Sequence, residues 1–127
     1  MFMNRLKLKV LAFGNQIMLR RLISQVDEDE VVVTGCCESA EAVDKLSKEH
    51  FDMIIVDLFV KDADQFCHNV VKIAQVPVAI MMQENFADWN TLRKLEVDGY
   101  IPDDKGSDEL MARIRAYSRR GSVIQQV

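Results

Sequence analysis

The sequence predicts an α/β fold in three layers, a parallel β-sheet covered by helices on both faces. Three observations predict it. Apolar periodicity alternates five times between strand-like and helix-like segments. The third strand-like run, Met53-Ile54-Ile55-Val56, has no polar position on either side, as expected of a central strand buried on both faces. Finally, 127 residues of which 49% are apolar suffice for one core without disulfides or metals. Strict alternation of strand and helix calls for right-handed crossovers between parallel strands.

Taken in order, Leu6 to Phe13 alternates and then turns fully apolar, like a strand passing from solvent into a buried sheet. Gln16 to Val26 places Ile17, Leu19, Leu22, Ile23 and Val26 at helical spacing. Glu30 to Cys36 is β-branched and reads as the second strand. Ser39 has the chemistry of an N-cap, with Glu41 in the first turn and Ala42, Val43 and Leu46 as the apolar stripe. The third strand closes at Asp57. Asp64 to Ala74 predicts a helix carrying Phe66, Val70, Val71 and Ile73. Val76 to Met82 is the fourth strand, with Pro77 confined to its first residues. Ala87 to Glu96 is a shorter helix bearing Trp89, Leu92 and Leu95. Asp98-Gly99 turns into a short fifth strand, Tyr100-Ile101, ended by Pro102. Ser107 is the expected cap of the last helix. Asp108 and Glu109 stand at its positive end, and Arg113, Arg115, Arg119 and Arg120 run toward its negative end.

Charge is unevenly distributed. Residues 1–21 carry five bases and no acid, residues 27–109 hold all 20 acids, and residues 110–127 hold four arginines, for a net charge of −4. An acidic middle is compatible with a metal site, a solvated surface or a partner-binding face. No run of apolar residues is long enough to span a membrane. No apolar segment follows Met1 to Arg5 as in a secretory signal, so a cytoplasmic location is expected. Cys36, Cys37 and Cys67 lack zinc-site spacing and read as small hydrophobes of a reduced protein. His50 and His68 have no nucleophile beside them in the pattern and read as surface residues.

Open parallel sheets bind ligands at the carboxyl ends of their strands, where the strand order reverses. The segments to inspect are Gly14-Asn15-Gln16, Asp57, Met82-Gln83 and Pro102-Asp103-Asp104-Lys105. Asp57 stands out, because a carboxylate closing a buried aliphatic run is costly to desolvate. A strand-end Asp that turns outward to cap its own loop is the plain alternative.

With these segments in place the chain resembles a response-regulator receiver domain. Asp52-Met53-Ile54-Ile55-Val56-Asp57-Leu58 is similar to the family's segment whose second Asp accepts a phosphoryl group. Val10 to Phe13 with Leu19-Arg20-Arg21-Leu22 resembles its first strand and helix, Pro77 to Met81 its fourth strand, and Asp98 to Ile101 its fifth. Glu109 to Ala116 is similar to the last helix of receivers of the winged-helix (OmpR-like) class. The likeness spans roughly residues 5 to 120. It implies a flavodoxin-like (βα)5 fold with strand order 2-1-3-4-5. It also implies a receiver-like domain over residues 1–120, with 121–127 as a tail or the start of a linker to an output domain.

The resemblance makes its departures informative. The family's Mg²⁺-binding acidic pair falls on Gly14 and Asn15, its Ser or Thr on Met82, its Lys on Asp103, and its Pro after the acceptor on Lys61; a lysine recurs at Lys105. Mg²⁺ is a hard ion that dehydrates reluctantly and favours carboxylates. Phosphoryl transfer to a carboxylate is mostly positioning and charge neutralisation, so an Asp in place of the Lys opposes it. The expectation is an atypical receiver that is not an enzyme, has no cofactor, and binds Mg²⁺ weakly or not at all. Tyr100 keeps the family's switch aromatic, while Met82 has no hydroxyl to draw it inward.

What the resemblance leaves is association. Receivers of this class dimerise through acid–base pairs, which here would be Lys94, Glu96 and Asp98 with Arg113 and Arg115. Expected partners are a second copy, a histidine kinase, and an appended DNA-binding output domain, but neither a membrane nor nucleic acid bound directly. Among rivals, phosphorylation of Asp57 by a kinase despite a rearranged metal site is the strongest. A flavodoxin-type cofactor protein would need hydroxyls after the first strand, where Phe13-Gly14-Asn15-Gln16-Ile17 has none, and a dinucleotide site would need three glycines. No Ser/His/Asp set supports a hydrolase.

Overall fold

The computed structural model describes residues 6–125 other than Ala87, and for residues 71–73 and 120–125 the backbone alone. Five parallel strands, β1 (Leu8–Phe13), β2 (Val31–Cys36), β3 (Met53–Asp57), β4 (Val78–Met82) and β5 (Gly99–Pro102), form one sheet in the order β2-β1-β3-β4-β5. Between them run α1 (Gln16–Gln25), α2 (Ser39–Lys48), α3 (Ala63–Ile73), a short 3₁₀ turn (Glu84–Phe86) with α4 (Trp89–Leu95), and finally α5 (Ser107–Gln125). This is the flavodoxin-like order expected. The strand order reverses between β1 and β3, which places the ends of those two strands at the switch point.

The two-residue period of each strand sorts the apolar side chains into two cores. On one face Leu11, Phe13, Ile54, Val56, Ile80 and Met82 pack against α2, α3 and α4 through Ala42, Phe66, Val70, Leu92 and Leu95. Phe13 and Phe66 pack there with ring centroids 4.7 Å apart and planes tilted by 52°. On the other face Val10, Ala12, Met53, Ile55, Ala79 and Met81 pack against α1 and α5 through Leu19, Leu22, Leu110, Ile114 and Tyr117. β3 and β4 are buried along their whole length, the physical reason for their unbroken apolar sequence.

The helix ends differ from expectation in instructive ways. Ser39 and Ser107 are each the first residue of their helix instead of its cap. Glu38 occupies the cap of α2 and makes no side-chain capping bond. The Gly106 carbonyl accepts from Leu110, and Gly106 itself has a φ of 91°, a backbone shape that suits glycine. The helix expected over Ala87 to Glu96 begins at Trp89, because the Asp88 side chain accepts from Asn90 and caps it there. α5 continues through Gly121 and Ser122 to Gln125, so Arg113 and Arg115 lie in its middle and not near its negative end.

Burial also corrects two apolar stripes. Leu19 and Leu22 of α1 are buried, whereas Ile17 (73%) and Ile23 (52%) are exposed. Trp89 is 73% exposed, while Leu92 and Leu95 enter the core. The side chains of Val71 and Ile73, expected on the α3 stripe, lie outside the described residues, as do Met1 to Arg5 and the Arg120 side chain. Cys36 and Cys67 are buried as expected, and Cys37 is exposed. His50 and His68 are exposed, with His50 Nε2 3.3 Å from Asp52.

Candidate functional site

The ends of β1, β3, β4 and β5 frame a cleft of about 190 Å³ whose lining includes Asn15, Met18, Arg21, Asp57, Phe59, Met81 and Asp103. Asp57 closes β3 and is 8% exposed, buried at the floor of the cleft. Its Oδ1 accepts from the Phe59 N–H at 3.1 Å, the loop-capping bond expected of a strand-end Asp. Its Oδ2 faces the Asn15 side-chain amide at 3.4 Å.

Asn15 decides what can bind beside Asp57. It is the N-cap of α1, and its Oδ1 accepts from the Met18 N–H at 2.8 Å. With the oxygen committed to the helix, the group it turns toward Asp57 is the NH₂ donor. An N–H donor can hold a carboxylate but cannot ligate a cation. Gly14 offers no replacement. A Cβ at Gly14 would stand 2.9 Å from the Met18 sulfur and 3.0 Å from the Asp57 Cβ, so the Met18 thioether occupies the space a side chain would need. Immediately beside Asp57, an amide that presents its N–H₂ and a thioether do not fit Mg²⁺, which selects several oxygen ligands in octahedral array. Among the described residues no cluster of three His, Cys, Asp or Glu side chains could hold a metal ion.

The other sequence-selected positions separate. Asp103 lies on the cleft wall, with its N–H on the Met82 carbonyl at 2.9 Å. Met82 turns into the core at 1% exposure, and its neighbour Met81 lines the cleft instead. Lys105 points away. Its Nζ pairs with Glu84 Oε2 at 2.9 Å, and that contact holds the Glu84 carboxyl below its usual range. The cation in the cleft is Arg21, on α1, whose guanidinium donates to the Asp103 carbonyl at 3.0 Å. Sequence reading did not single out Arg21, Met18 or Phe59. Their helical or loop positions carry no local signal, and the fold alone brings them to Asp57.

Tyr100 is tied on every side. Its N–H donates to the Tyr117 hydroxyl at 3.1 Å, which in turn donates to the Tyr100 carbonyl at 3.2 Å. Its own hydroxyl donates to Glu84 at 3.3 Å, and the Arg113 guanidinium lies 4.8 Å from its ring centre.

The residues expected to face a second copy also divide. Lys94 and Glu96 are exposed on and just after α4. Asp98 accepts from the Val78 N–H at 2.7 Å and so ties the start of β4 to β5. Arg113 bonds Glu109 at 2.7 Å and the Tyr100 carbonyl at 3.0 Å. Arg115 is bidentate to Glu30 at 2.6 and 2.8 Å, on the flank of α5 nearest the start of β2, so the structure does not bring it to the α4–β5 side.

No family model matches the chain. A probable transcriptional regulator, ycf27, of Porphyridium aerugineum is 26% identical over 118 residues, covering 90% of this chain and 49% of that protein. The transcriptional regulatory protein CutR of Streptomyces coelicolor is 23% identical over 112 residues, covering 85% of this chain and 52% of that protein. The chain therefore spans about half the length of the curated relatives it matches. The chemotaxis response regulator CheY4 of Vibrio cholerae superposes with a TM-score of 0.75 at 17% identity, over 88% of this chain and 99% of that one. The fold is that of response-regulator receiver domains.

Proposed function

We propose that the chain is the receiver domain of a two-component-type response regulator of atypical kind, one that works by protein–protein association with little or no Mg²⁺-dependent phosphorylation of Asp57. The observation that carries this reading is the inversion at Asn15. Its oxygen caps α1, its N–H₂ faces Asp57, and the Met18 thioether fills the space beside Gly14. Without a metal-binding pair, without a hydroxyl from Met82 and with Lys105 held by Glu84, Asp57 lacks the preorganised charge on which phosphoryl transfer depends.

The regulatory output is contact, through the exposed side of α4, with a second copy or with an output domain of the same polypeptide. The likeness to ycf27 and CutR, described as transcriptional regulators, supports a DNA-binding output. No helix among the described residues is long and apolar enough to cross a membrane. A second reading, a working phosphoacceptor at Asp57 served by a histidine kinase, is favoured by one feature. Arg21 brings a guanidinium into the cleft where the family's Lys is missing.

Incubation with acetyl phosphate and Mg²⁺, followed by intact mass and sedimentation, separates the two. The first reading expects no phosphoryl adduct and the same self-association before and after treatment. A stoichiometric adduct lost on Asp57→Asn establishes the second.

A further inference from the structure

At the foot of the sheet, opposite Asp57, lies a second cavity of about 310 Å³, lined by Leu8, Asp52, Arg115, Ser118 and Arg119. Leu8 opens β1 and Asp52 immediately precedes β3, while α5 supplies the other three residues. Two of the polar groups are spoken for. Arg115 is bidentate to Glu30, and Asp52 accepts from the Lys9 N–H at 2.7 Å and contacts His50.

The other two are not. Arg119 uses Nε to donate to the Arg115 carbonyl at 3.4 Å, and its guanidinium meets no carboxylate among the described residues. Ser118 is 5% exposed, and its Oγ, shielded from water, has no hydrogen-bond partner among the described residues. A buried hydroxyl without a partner carries a desolvation cost that a ligand acceptor would recover. Ser118 lines the cavity, and binding would turn its O–H toward the guest by a change between staggered χ1 rotamers.

We infer that this cavity binds a small organic carboxylate with an apolar body. The carboxylate pairs with Arg119 and accepts from Ser118, a charge-assisted arrangement stronger than a neutral hydrogen bond. The apolar body rests on Leu8. Asp52 on the same lining repels a multiply charged guest, which favours a monoanion over phosphate. The site owes nothing to Asp57 and holds whether or not that residue is ever phosphorylated.

Titration of the ¹⁵N-labelled chain with benzoate tests this, with benzyl alcohol and inorganic phosphate as controls. Benzoate is expected to produce saturable amide shifts around Leu8, Asp52, Ser118 and Arg119. Arg119→Gln is expected to weaken them about tenfold, the loss of one charge-assisted contact. Ser118→Ala is expected to weaken them less, and Asp57→Asn to leave them unchanged. Benzyl alcohol and phosphate are expected to bind far more weakly. Absence of saturation with benzoate, equal response to phosphate, persistence in Arg119→Gln, or shifts centred on the Asp57 cleft would each overturn the assignment.

Discussion

At Asn15 one side chain performs two tasks, capping α1 through its oxygen and holding Asp57 through its nitrogen. Asn15→Asp keeps the cap, since Asp is as good an N-cap, and turns a carboxylate oxygen toward Asp57. That variant is expected to gain thermal stability on addition of Mg²⁺, whereas the natural chain is expected to gain none; differential scanning fluorimetry with and without Mg²⁺ checks both halves. The cysteines give a second residue-scale test. Burial, followed by the nearby Glu41 and Asp64 respectively, pushes the Cys36 thiol up to about 11 and the Cys67 thiol up to about 12. Under native conditions near neutral pH a thiol reagent is therefore expected to modify Cys37 alone, and mass spectrometry of the labelled peptides reads this out. The stability gained by keeping both thiols neutral is complete below their unfolded value of 9.0 and declines as pH rises from there through about 11 and 12. Asp57 was visible in the sequence because it ends an unbroken apolar run. Arg21 and Met18 were not, because only α1 docking on the sheet brings them into the cleft that holds Asp57.

Among the elements, β5 and α5 are locked together at one point. The Tyr117 hydroxyl both accepts from and donates to the backbone of Tyr100. Gly99 makes that approach feasible, because a Cβ there would collide with the Tyr117 hydroxyl and stand 2.7 Å from its ring carbon. Gly99→Ala is thus expected to cost about 1–3 kcal/mol by overpacking. Combined with Tyr117→Phe, which removes the colliding oxygen, the loss is expected to be less than additive; urea denaturation of the single and double variants measures the coupling. The strands were legible because two-sided burial writes itself as unbroken apolar sequence in β3 and β4. The helix starts were less so. Ser39 and Ser107 have capping chemistry, yet Glu38 and Gly106 stand in the capping positions. Likewise the spacing of Ile17 and Ile23 suits a wider apolar stripe than α1 buries.

At the scale of the molecule, the acidic middle of the chain resolves into surface and structural roles. Its acids cap α4 through Asp88, join β4 to β5 through Asp98, and pair at the surface with Lys48, Lys105 and Arg115. Exposed pairs of this kind contribute about 0–1 kcal/mol each, so they govern solubility and contact more than stability. Asp57 alone combines deep burial with a place at the strand-order switch. The proposed function requires that this cleft not assemble a Mg²⁺–phosphoryl site. Its most direct test is titration of Mg²⁺ with beryllofluoride, a phosphoryl mimic, into the ¹⁵N-labelled chain. The account predicts amide resonances around Asp57, Met82 and Tyr100 that do not move; saturable shifts clustered at those residues would contradict it.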